Sequence, residues 1–370
     1  MAGPTGRAVL FGPTGFSGRL VADALVRRGI HPVLAGRDAK RIRTVCDDLG
    51  VPLQIETADA ADPRSLAALL EPGDLVVSTV GPFVKVGEPA VQAAVEAGAN
   101  YIDITGEPAF ERLVFERYDE PARRSGSTLV PAFGYDCVPG NLAGALALRE
   151  AGPEAARLAV GYYITGPAGP RALGGGTIAS IVAAMFEPAF AWREGRIVDE
   201  RSCRHHRRFE VNGKGRAAVS IGATEHFALP RLHAGLVDVE VYVGWWGAGS
   251  RAVQLLSVVT AATGRVPGTV GFVRDAAARL FGSRGPDGLA RARTRSYFVA
   301  EAYDSAGRQL AAVHLDGPSP YSLNANIAAW GAERALAGEL QGPGVVGPVD
   351  GFGLDALLAG CQQIGVRRVG

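Results

Sequence analysis

The chain has 370 residues, of which 47% are hydrophobic and 20% charged, and its formal net charge is +1. This length allows two domains with sizeable cores, and the ordinary composition excludes a disordered chain. The small net charge gives no support to nucleic-acid binding. We expect no metal site or disulfide framework, because the cysteines are scattered without a Cys-x-x-Cys pair. We also expect no membrane span, because no apolar run reaches about 18 residues. The sequence thus predicts a cytoplasmic globular protein.

Short apolar strands alternate with helices over residues 1–150, a pattern typical of a doubly wound parallel α/β sheet. The predicted strands are Ala8 to Phe11, Pro32 to Ala35, Leu53 to Thr57, Leu75 to Thr79, Tyr101 to Ile104 and Thr128 to Pro131. The predicted helices are Arg19 to Arg28, Ala39 to Leu49, Pro63 to Leu70, Gly87 to Ala97, Pro108 to Ser125 and Gly140 to Glu150.

The pattern changes after residue 150 to the alternation of antiparallel strands. Predicted strands here are Arg157 to Thr165, Val237 to Trp246, Thr294 to Tyr303 and Gln309 to Leu315, with helices at Thr177 to Trp192, Arg251 to Thr263 and Val270 to Leu280. We interpret residues 151–320 as an α+β domain on a largely antiparallel sheet, used for substrate binding or dimerisation. Further helices at Ser322 to Ala337 and Leu354 to Ile364 predict that residues 321–370 return to the first domain.

The most informative motif is the glycine turn Gly12-Pro-Thr-Gly-Phe-Ser-Gly18, which stands between an apolar strand and a predicted helix. Glycines let the backbone approach a pyrophosphate, and the free N–H groups of a new helix favour its negative charge. The motif therefore predicts a Rossmann-type dinucleotide site. Its expected contacts are Gly12, Thr14, Gly15, Phe16, Ser17 and Gly18, together with Gly81, Pro82 and Phe83 of a later loop.

The end of the second strand favours NADP(H). An NAD site carries Asp or Glu there, whereas this chain has Gly36 followed by Arg37 and Lys40. These cations supply a stacking surface and positive charge for a 2′-phosphate. Two alternatives stay open: the cations are only the solvated start of a helix, or Asp38 is a displaced ribose ligand. Asp59, past the third strand, is either an adenine contact or the cap of a turn.

The proton donor is not the Tyr-x-x-x-Lys pair of short-chain dehydrogenases, because the residues four positions before the lysines are Gly36, Gly81 and Glu210. Ligands in open parallel sheets bind beyond the carboxyl ends of the strands. Tyr135 and Asp136 follow the sixth predicted strand, and we predict that they are a proton donor and its partner. An alternative is that Tyr135 only lines the pocket.

Further candidates for the proton donor lie at the ends of neighbouring strands; they are Lys85, Asp103 and Glu107. Asp103 also has a structural interpretation, in which it ties down a neighbouring loop, and Glu107 has one as a residue near the N-terminus of the next helix. The expected substrate contacts are Glu107, Gly175, Thr177 and Ser180, because the glycine-rich run at 174–180 opens a predicted helix whose N–H groups suit an oxyanion. The alternative there is a loop in which Thr177 caps the helix.

Together these motifs resemble the saccharopine dehydrogenase-like oxidoreductases, in particular the branch that contains the trans-acting enoyl reductases. The matching runs are Gly12 to Gly18, Leu34 to Arg37, Gly81 to Phe83, Tyr101 to Glu107, Gly134 to Asp136 and Gly176 to Ser180. The resemblance implies an NADP(H)-binding Rossmann domain followed by an α+β domain that completes the substrate cleft. The resemblance leaves the acceptor bond open, because members of the family reduce C=C or C=N bonds or have no assigned activity. Our leading hypothesis is hydride transfer to a conjugated C=C bond of a lipid, polyketide or other secondary-metabolite intermediate, free or bound to a carrier.

Two alternatives to that activity stay open: a C=N (imine) reductase of the saccharopine reductase type, and a non-catalytic NADP(H) sensor or scaffold. The chain also departs from the family pattern after Asp136, because Cys137-Val-Pro-Gly-Asn141 replaces the usual Ser-Ile-Pro-Ser/Ala-Asp. Substrate identity and oligomeric state, a homodimer included, are left open by the sequence.

Overall fold

A computed structural model of the chain describes residues 6–166, 188–263 and 288–369, with isolated positions at 174, 268, 271, 272 and 276. The chain divides into two compact units. The first contains residues up to 105, 110–135 and 321–360, and the second contains 106–109, 136–320 and 361–370.

The first unit is built on a seven-stranded parallel sheet. Its strands are β1 (Ala8–Phe11), β2 (Val33–Gly36), β3 (Ile55–Thr57), β4 (Leu75–Ser78), β5 (Asn100–Asp103), β6 (Thr128–Val130) and β15 (Gly344–Val345). Their spatial order is β15-β6-β5-β4-β1-β2-β3. Strand β1 is buried along its length and lies between β4 and β2, so the strand order reverses beside it. This topology confirms the predicted Rossmann-type fold and puts the glycine turn at the switch point where such sheets bind nucleotides.

The helices of the first unit begin and end for local reasons that the sequence shows. They are α1 (Phe16–Arg27), α2 (Ala39–Leu49), α3 (Pro63–Ala67), α4 (Phe83–Val86), α5 (Glu88–Ala97), most of α6 (Pro108–Ser125) and of α11 (Pro320–Leu336), α12 (Pro348–Phe352) and most of α13 (Leu354–Gln363). Helix α2, for example, is capped by Asp38 and ends at Gly50, whose φ is +68°. Of these elements, α3 is shorter than predicted, and α4 and α12 were not predicted.

The second unit is built on a nine-stranded mixed sheet. Its strands are β7 (Arg157–Thr165), β8 (Pro188–Arg193), β9 (Arg196–Arg201), β10 (His206–Val211), β11 (Lys214–Ile221), β12 (Asp238–Val243), β13 (Arg295–Tyr303), β14 (Gln309–Gly317) and β16 (Arg367–Arg368). The main path is β10-β11-β12-β7-β13-β14-β16, parallel only between β12 and β7 among the described strands, and the β8–β9 hairpin joins β12. The described helices are α7 (Val138–Ala151), α8 (Glu225–Leu232), α9 (Ser250–Thr263) and α10 (Gly288–Arg293). This confirms the predicted second α+β domain.

The region around residue 190 differs from the prediction. A helix over Thr177 to Trp192 is wrong at its end, because Pro188–Arg193 is strand β8. Strand β8 pairs with β9 through a turn in which Glu194 and Gly195 both have positive φ. The backbone hydrogen bonds of this hairpin outweigh the helical spacing of the apolar residues. The rest of that predicted helix, and most of the one at Val270 to Leu280, lie outside the described residues.

The limits of the two units differ from the predicted domains near residue 150 and after residue 360. Helix α7 belongs to the second unit, since it is buried on all sides over residues 138–148 and its Gly144 packs against Leu158 of β7. The C-terminal segment is divided: residues 321–360 belong to the first unit, whereas Arg368 of β16 pairs with Leu315 of the second sheet. No helix within the described ranges is long and apolar enough to span a bilayer.

Candidate functional site

The glycine turn at the carboxyl end of β1 owes its shape to two of its glycines. Gly12 has φ of +94°, and a Cβ there would lie 2.6 Å from Val80 Cγ2. A Cβ on Gly18 would overlap the Gly12 carbonyl oxygen. Gly15 is exposed, and a Cβ there would come no closer than 3.8 Å to its nearest neighbour. The turn therefore needs glycine at positions 12 and 18 for close packing. At position 15, glycine leaves the exposed backbone of the turn accessible to a ligand.

The start of helix α1 suits a negatively charged ligand. Its N-cap, Gly15, provides no side-chain cap, and the first turn contains no acidic residue. The N–H groups of this turn and the helix dipole therefore favour a phosphate. Thr79, which was not predicted as a site residue, stabilises the turn. Its hydroxyl is 3.1 Å from the Phe11 carbonyl oxygen and 2.9 Å from that of Gly12. The bare backbone and uncapped helix together fit the pyrophosphate of a dinucleotide.

The residues after β2 and β3 show which polar groups already have structural partners. Asp38 accepts a hydrogen bond from the Arg41 backbone N–H at 3.0 Å and so caps helix α2. Asp59 accepts from the Ala61 N–H at 3.0 Å and so closes a turn. These contacts favour the structural interpretation of both carboxylates. Arg37 and Lys40 are exposed at the same end of β2, where a 2′-phosphate is expected.

In the loop after β4, one predicted site residue is buried and another is exposed. A cis peptide bond joins Gly81 to Pro82. Phe83 is buried, and its ring centroid lies 5.5 Å from that of Phe110, which is also the neighbour that excludes a side chain at Gly87. Lys85 is exposed on the short helix α4. Phe83 therefore packs in the core of the first unit, whereas Lys85 is accessible.

Asp103 at the end of β5 makes the structural contacts that its alternative interpretation requires. Its Oδ1 accepts from the backbone N–H of Thr105 at 2.8 Å and from that of Ala132 at 2.9 Å. The fully buried carboxylate thus ties β5 to the loop that follows β6. Glu107 is also buried, directly before helix α6, and belongs to the second unit.

Tyr135 lies in a loop whose backbone is held by a residue far along the chain. The Tyr135 side chain is buried, and its backbone N–H donates to Asn324 Oδ1 of helix α11. The same oxygen excludes a Cβ at Gly134. Sequence reasoning missed Asn324, because nothing near it in the sequence points to a loop some 190 residues earlier.

Asp136, the predicted partner of Tyr135 in the chain, belongs to the second unit. Its carboxyl packs so closely against Gly106 that a Cβ there would overlap Oδ2. Desolvation by the surrounding protein raises the pKa of the Asp136 carboxyl to about 7, although the residue keeps part of its surface accessible. A carboxyl that titrates near neutral pH can hold and release a proton under physiological conditions.

A second buried carboxyl, Glu225, belongs to the same unit and was not predicted. It accepts a hydrogen bond from the Tyr162 hydroxyl, which also lies 3.3 Å from the Cys137 carbonyl oxygen. Burial raises the pKa of Glu225 to about 8, and the nearby charge of Asp136 acts in the same direction. At neutral pH, Glu225 is therefore an uncharged acid beside a tyrosine hydroxyl.

The departures from the family pattern at residues 140 and 141 both contact this cluster. A Cβ on Gly140 would overlap the Tyr162 hydroxyl and Glu225 Oε1, so only glycine leaves room for them. Asn141 donates its amide hydrogens to the Cys137 carbonyl at 2.9 Å and to Thr224 Oγ1 at 3.0 Å. The unusual glycine after Pro139 is the one signal in the sequence that could have indicated a bulky partner here. Gly175, Thr177 and Ser180 lie outside the described residues, and their role stays a prediction.

Comparisons with known proteins agree with the site in the first unit. Residues 8–130 match the family model of the saccharopine dehydrogenase NADP binding domain. The chain is 42% identical over 139 residues to a Mycobacterium tuberculosis protein named provisionally as a trans-acting enoyl reductase, and 39% identical over 140 residues to the trans-acting enoyl reductase of Mycobacterium ulcerans. Each alignment covers 36% of this chain and 33% of the relative, so the match spans about a third of the relatives' length.

Among solved structures, the fold is similar to that of the apo, histidine-tagged saccharopine dehydrogenase (L-Glu forming) of Saccharomyces cerevisiae. The TM-score is 0.59 at 12% sequence identity, with 99% of this chain and 100% of that chain covered. At this identity the likeness concerns the fold alone. The family match and the relatives confirm the predicted resemblance, which the family model carries over residues 8–130.

Proposed function

We propose that this chain is an NADPH-dependent reductase that transfers hydride to a conjugated C=C bond of a lipid, polyketide or other secondary-metabolite intermediate. The observation that carries the proposal is the match of residues 8–130 to an NADP-binding family, on a glycine turn with bare backbone and an uncapped helix. The names of the mycobacterial relatives support a C=C bond as the acceptor. The words trans-acting in the same names support a carrier-bound substrate.

The cofactor would be held by residues of the first unit. Gly15 and the first turn of α1 would bind the pyrophosphate, and Arg37 and Lys40 would neutralise the 2′-phosphate. When bound, NADPH supplies the hydride. Of the remaining predicted contacts, Phe83 would act through packing, because it is buried against Phe110.

The protein's own chemical task is to supply a proton. Reduction of a conjugated C=C bond adds a hydride to one carbon and a proton to the other. Asp136 retains its proton up to about pH 7 and is therefore a candidate source of that proton. We therefore assign proton donation to Tyr135 and Asp136, with Lys85 as a further catalytic candidate and Glu107 as a candidate for substrate contact.

A direct test incubates the purified chain with NADPH and crotonyl-N-acetylcysteamine, a small conjugated thioester. We expect loss of NADPH fluorescence and transfer of deuterium from NADPH labelled at its transferable hydride to the β-carbon of the product. A cyclic imine, 1-pyrroline, is assayed in parallel. Reduction of the imine alone would replace the C=C acceptor by a C=N acceptor, and NADPH binding without reduction of either probe would favour a sensor or scaffold.

Replacing Arg37 with Ala should weaken NADPH binding about 10- to 100-fold, because a charge-assisted hydrogen bond to the 2′-phosphate is lost. NADH binding should change little, since NADH lacks that phosphate. Dissociation constants of both cofactors are measured by fluorescence titration, with Arg43→Ala, an exposed arginine on helix α2, as the matched control. Equal loss of affinity for NADPH and NADH would show that Arg37 does not read the 2′-phosphate.

A further inference from the structure

Helix α11 contacts two loops of the candidate site within the first unit. The ring of Tyr321, at the start of the helix, packs edge-on against Phe16 of the glycine turn, with centroids 5.2 Å apart and planes at 88°. Asn324, three residues later, accepts the hydrogen bond from the Tyr135 backbone N–H. Residues three apart lie on the same face of a helix. One face of α11 therefore touches both the turn expected to bind the cofactor and the loop that carries Tyr135.

The rest of the helix shapes the backbone that leads to Tyr135. Trp330 stacks on Phe133, with ring centroids 6.4 Å apart and planes at 13°. Gly331 passes so close to Phe133 that a Cβ would overlap the ring. Ala132 adopts a φ of +55°, which is costly for a residue with a side chain and needs such support. The loop at 132–135 is thus packed along α11 over about two turns of the helix.

Helix α11 is also attached to the far end of the helix that the glycine turn begins. Arg28, at the C-cap of α1, forms an ion pair with Glu333 of α11. Tyr321 and Glu333 therefore connect α11 to both ends of α1. Because a helix of this length moves as a stiff unit, a displacement at the glycine turn reaches Asn324 through one turn of helix.

We propose that helix α11 couples occupation of the glycine turn to the placement of Tyr135, with Tyr321 in contact with the turn and Asn324 as the positioning residue for Tyr135. This inference deepens the proposed function and rests on its assignment of Tyr135 as a proton donor. Binding of the dinucleotide orders Phe16, the ring of Phe16 fixes Tyr321, and Asn324 then holds the Tyr135 backbone in place. Occupation of the glycine turn thus strengthens a hold on the proton donor that Asn324 already provides.

The test follows amide hydrogen exchange at Tyr135 in the full chain, with NADPH as the probe. NADPH should slow exchange of the Tyr135 amide in the unsubstituted protein. Tyr321→Leu should bind NADPH but lose this effect, whereas Tyr321→Phe, which keeps the ring, should retain it. Asn324→Leu should speed exchange about fivefold to tenfold even without NADPH, the equivalent of one hydrogen bond, and Asn324→Asp, which keeps an acceptor oxygen, should restore protection.

Two results would overturn the inference. Equal slowing by NADPH in Tyr321→Leu and the unsubstituted protein would remove the coupling, and unchanged exchange in Asn324→Leu would remove the positioning role. Circular dichroism checks that each variant is folded, and the Tyr321→Leu and Tyr321→Phe pair decides the coupling even where Asn324→Leu does not fold. A chain that shows the exchange response but reduces neither probe would contradict the proposed activity and leave the coupling intact.

Discussion

The unsubstituted protein is expected to lose about 4 kcal/mol of its free energy of unfolding between pH 5 and pH 8 through Glu225. Replacing Glu225 with Gln should abolish this loss, so that the variant gains about 4 kcal/mol relative to the unsubstituted chain over the same range. The buried carboxyl keeps its proton to about pH 8 in the folded protein, against an ordinary value of 4.5. Between those values the folded protein binds one more proton than the unfolded chain. Its stability therefore falls by about 1.4 kcal/mol per pH unit as pH rises, and the contribution of Glu225 is lost above its folded pKa.

The measurement is urea-induced unfolding, followed by tryptophan fluorescence across this pH range. The amide in Glu225→Gln keeps an oxygen that accepts from Tyr162 but does not titrate. The free energy of unfolding of this variant should therefore fall less steeply with pH, by about 1.4 kcal/mol per pH unit. Glu210→Gln, which removes an exposed carboxylate from strand β10 of the same unit, is the matched control. Parallel curves for Glu225→Gln and the unsubstituted protein would mean that Glu225 is ionised in the folded protein at neutral pH.

Asp136→Asn should lower the turnover number about 100- to 1000-fold while NADPH affinity stays unchanged, because a general acid is removed and the cofactor contacts are not. In the unsubstituted enzyme, activity should fall as pH rises through about 7, since the raised pKa of Asp136 marks where the proton is lost. The residual activity of the variant should lack this limb of the pH profile.

Initial rates of crotonyl-N-acetylcysteamine reduction across pH provide the measurement. Cys137→Ala is the control at the adjacent position, because its thiol has no part in the proposed chemistry. Tyr135→Phe separates the two members of the pair: a similar loss with the pH limb retained would make Tyr135 the group that delivers the proton and Asp136 its source. Activity that rises through pH 7, or full activity in Asp136→Asn, would remove Asp136 as the acid.

Local sequence patterns were sufficient for the first six strands and the glycine turn of the first unit. Strand β1, the glycine turn and helix α1 follow one another in the sequence, and each residue's role there depends on neighbours within a few positions. The predicted strands of the parallel sheet were confirmed to within a few residues, because buried parallel strands are short apolar runs between helices. The assignments of Tyr135, Asp136 and the cofactor contacts stay predictions, since a residue's chemistry depends on a bound ligand as well as on the fold.

Local patterns were insufficient in the second unit. Strands β8 to β11 were missed, because their mixed polar and apolar residues become strands through pairing with one another and with β12. In the sequence, nothing distinguishes Glu225 from an ordinary acidic residue in the first turn of a helix. Its raised pKa arises from burial and, to a smaller extent, from the charge of Asp136, which precedes it by more than 60 positions.

The Rossmann-type fold and the position of the glycine turn follow from the sequence alone, because glycine spacing, apolar strands and helix starts are properties of contiguous residues. The contact of Asn324 with Tyr135 and the burial of the acid Glu225 follow from the tertiary structure alone. Asn324 and Glu225 depend on which side chains meet after the chain has folded back on itself. The free energy of a buried proton or an isolated backbone hydrogen bond is set by those neighbours and not by the residue type.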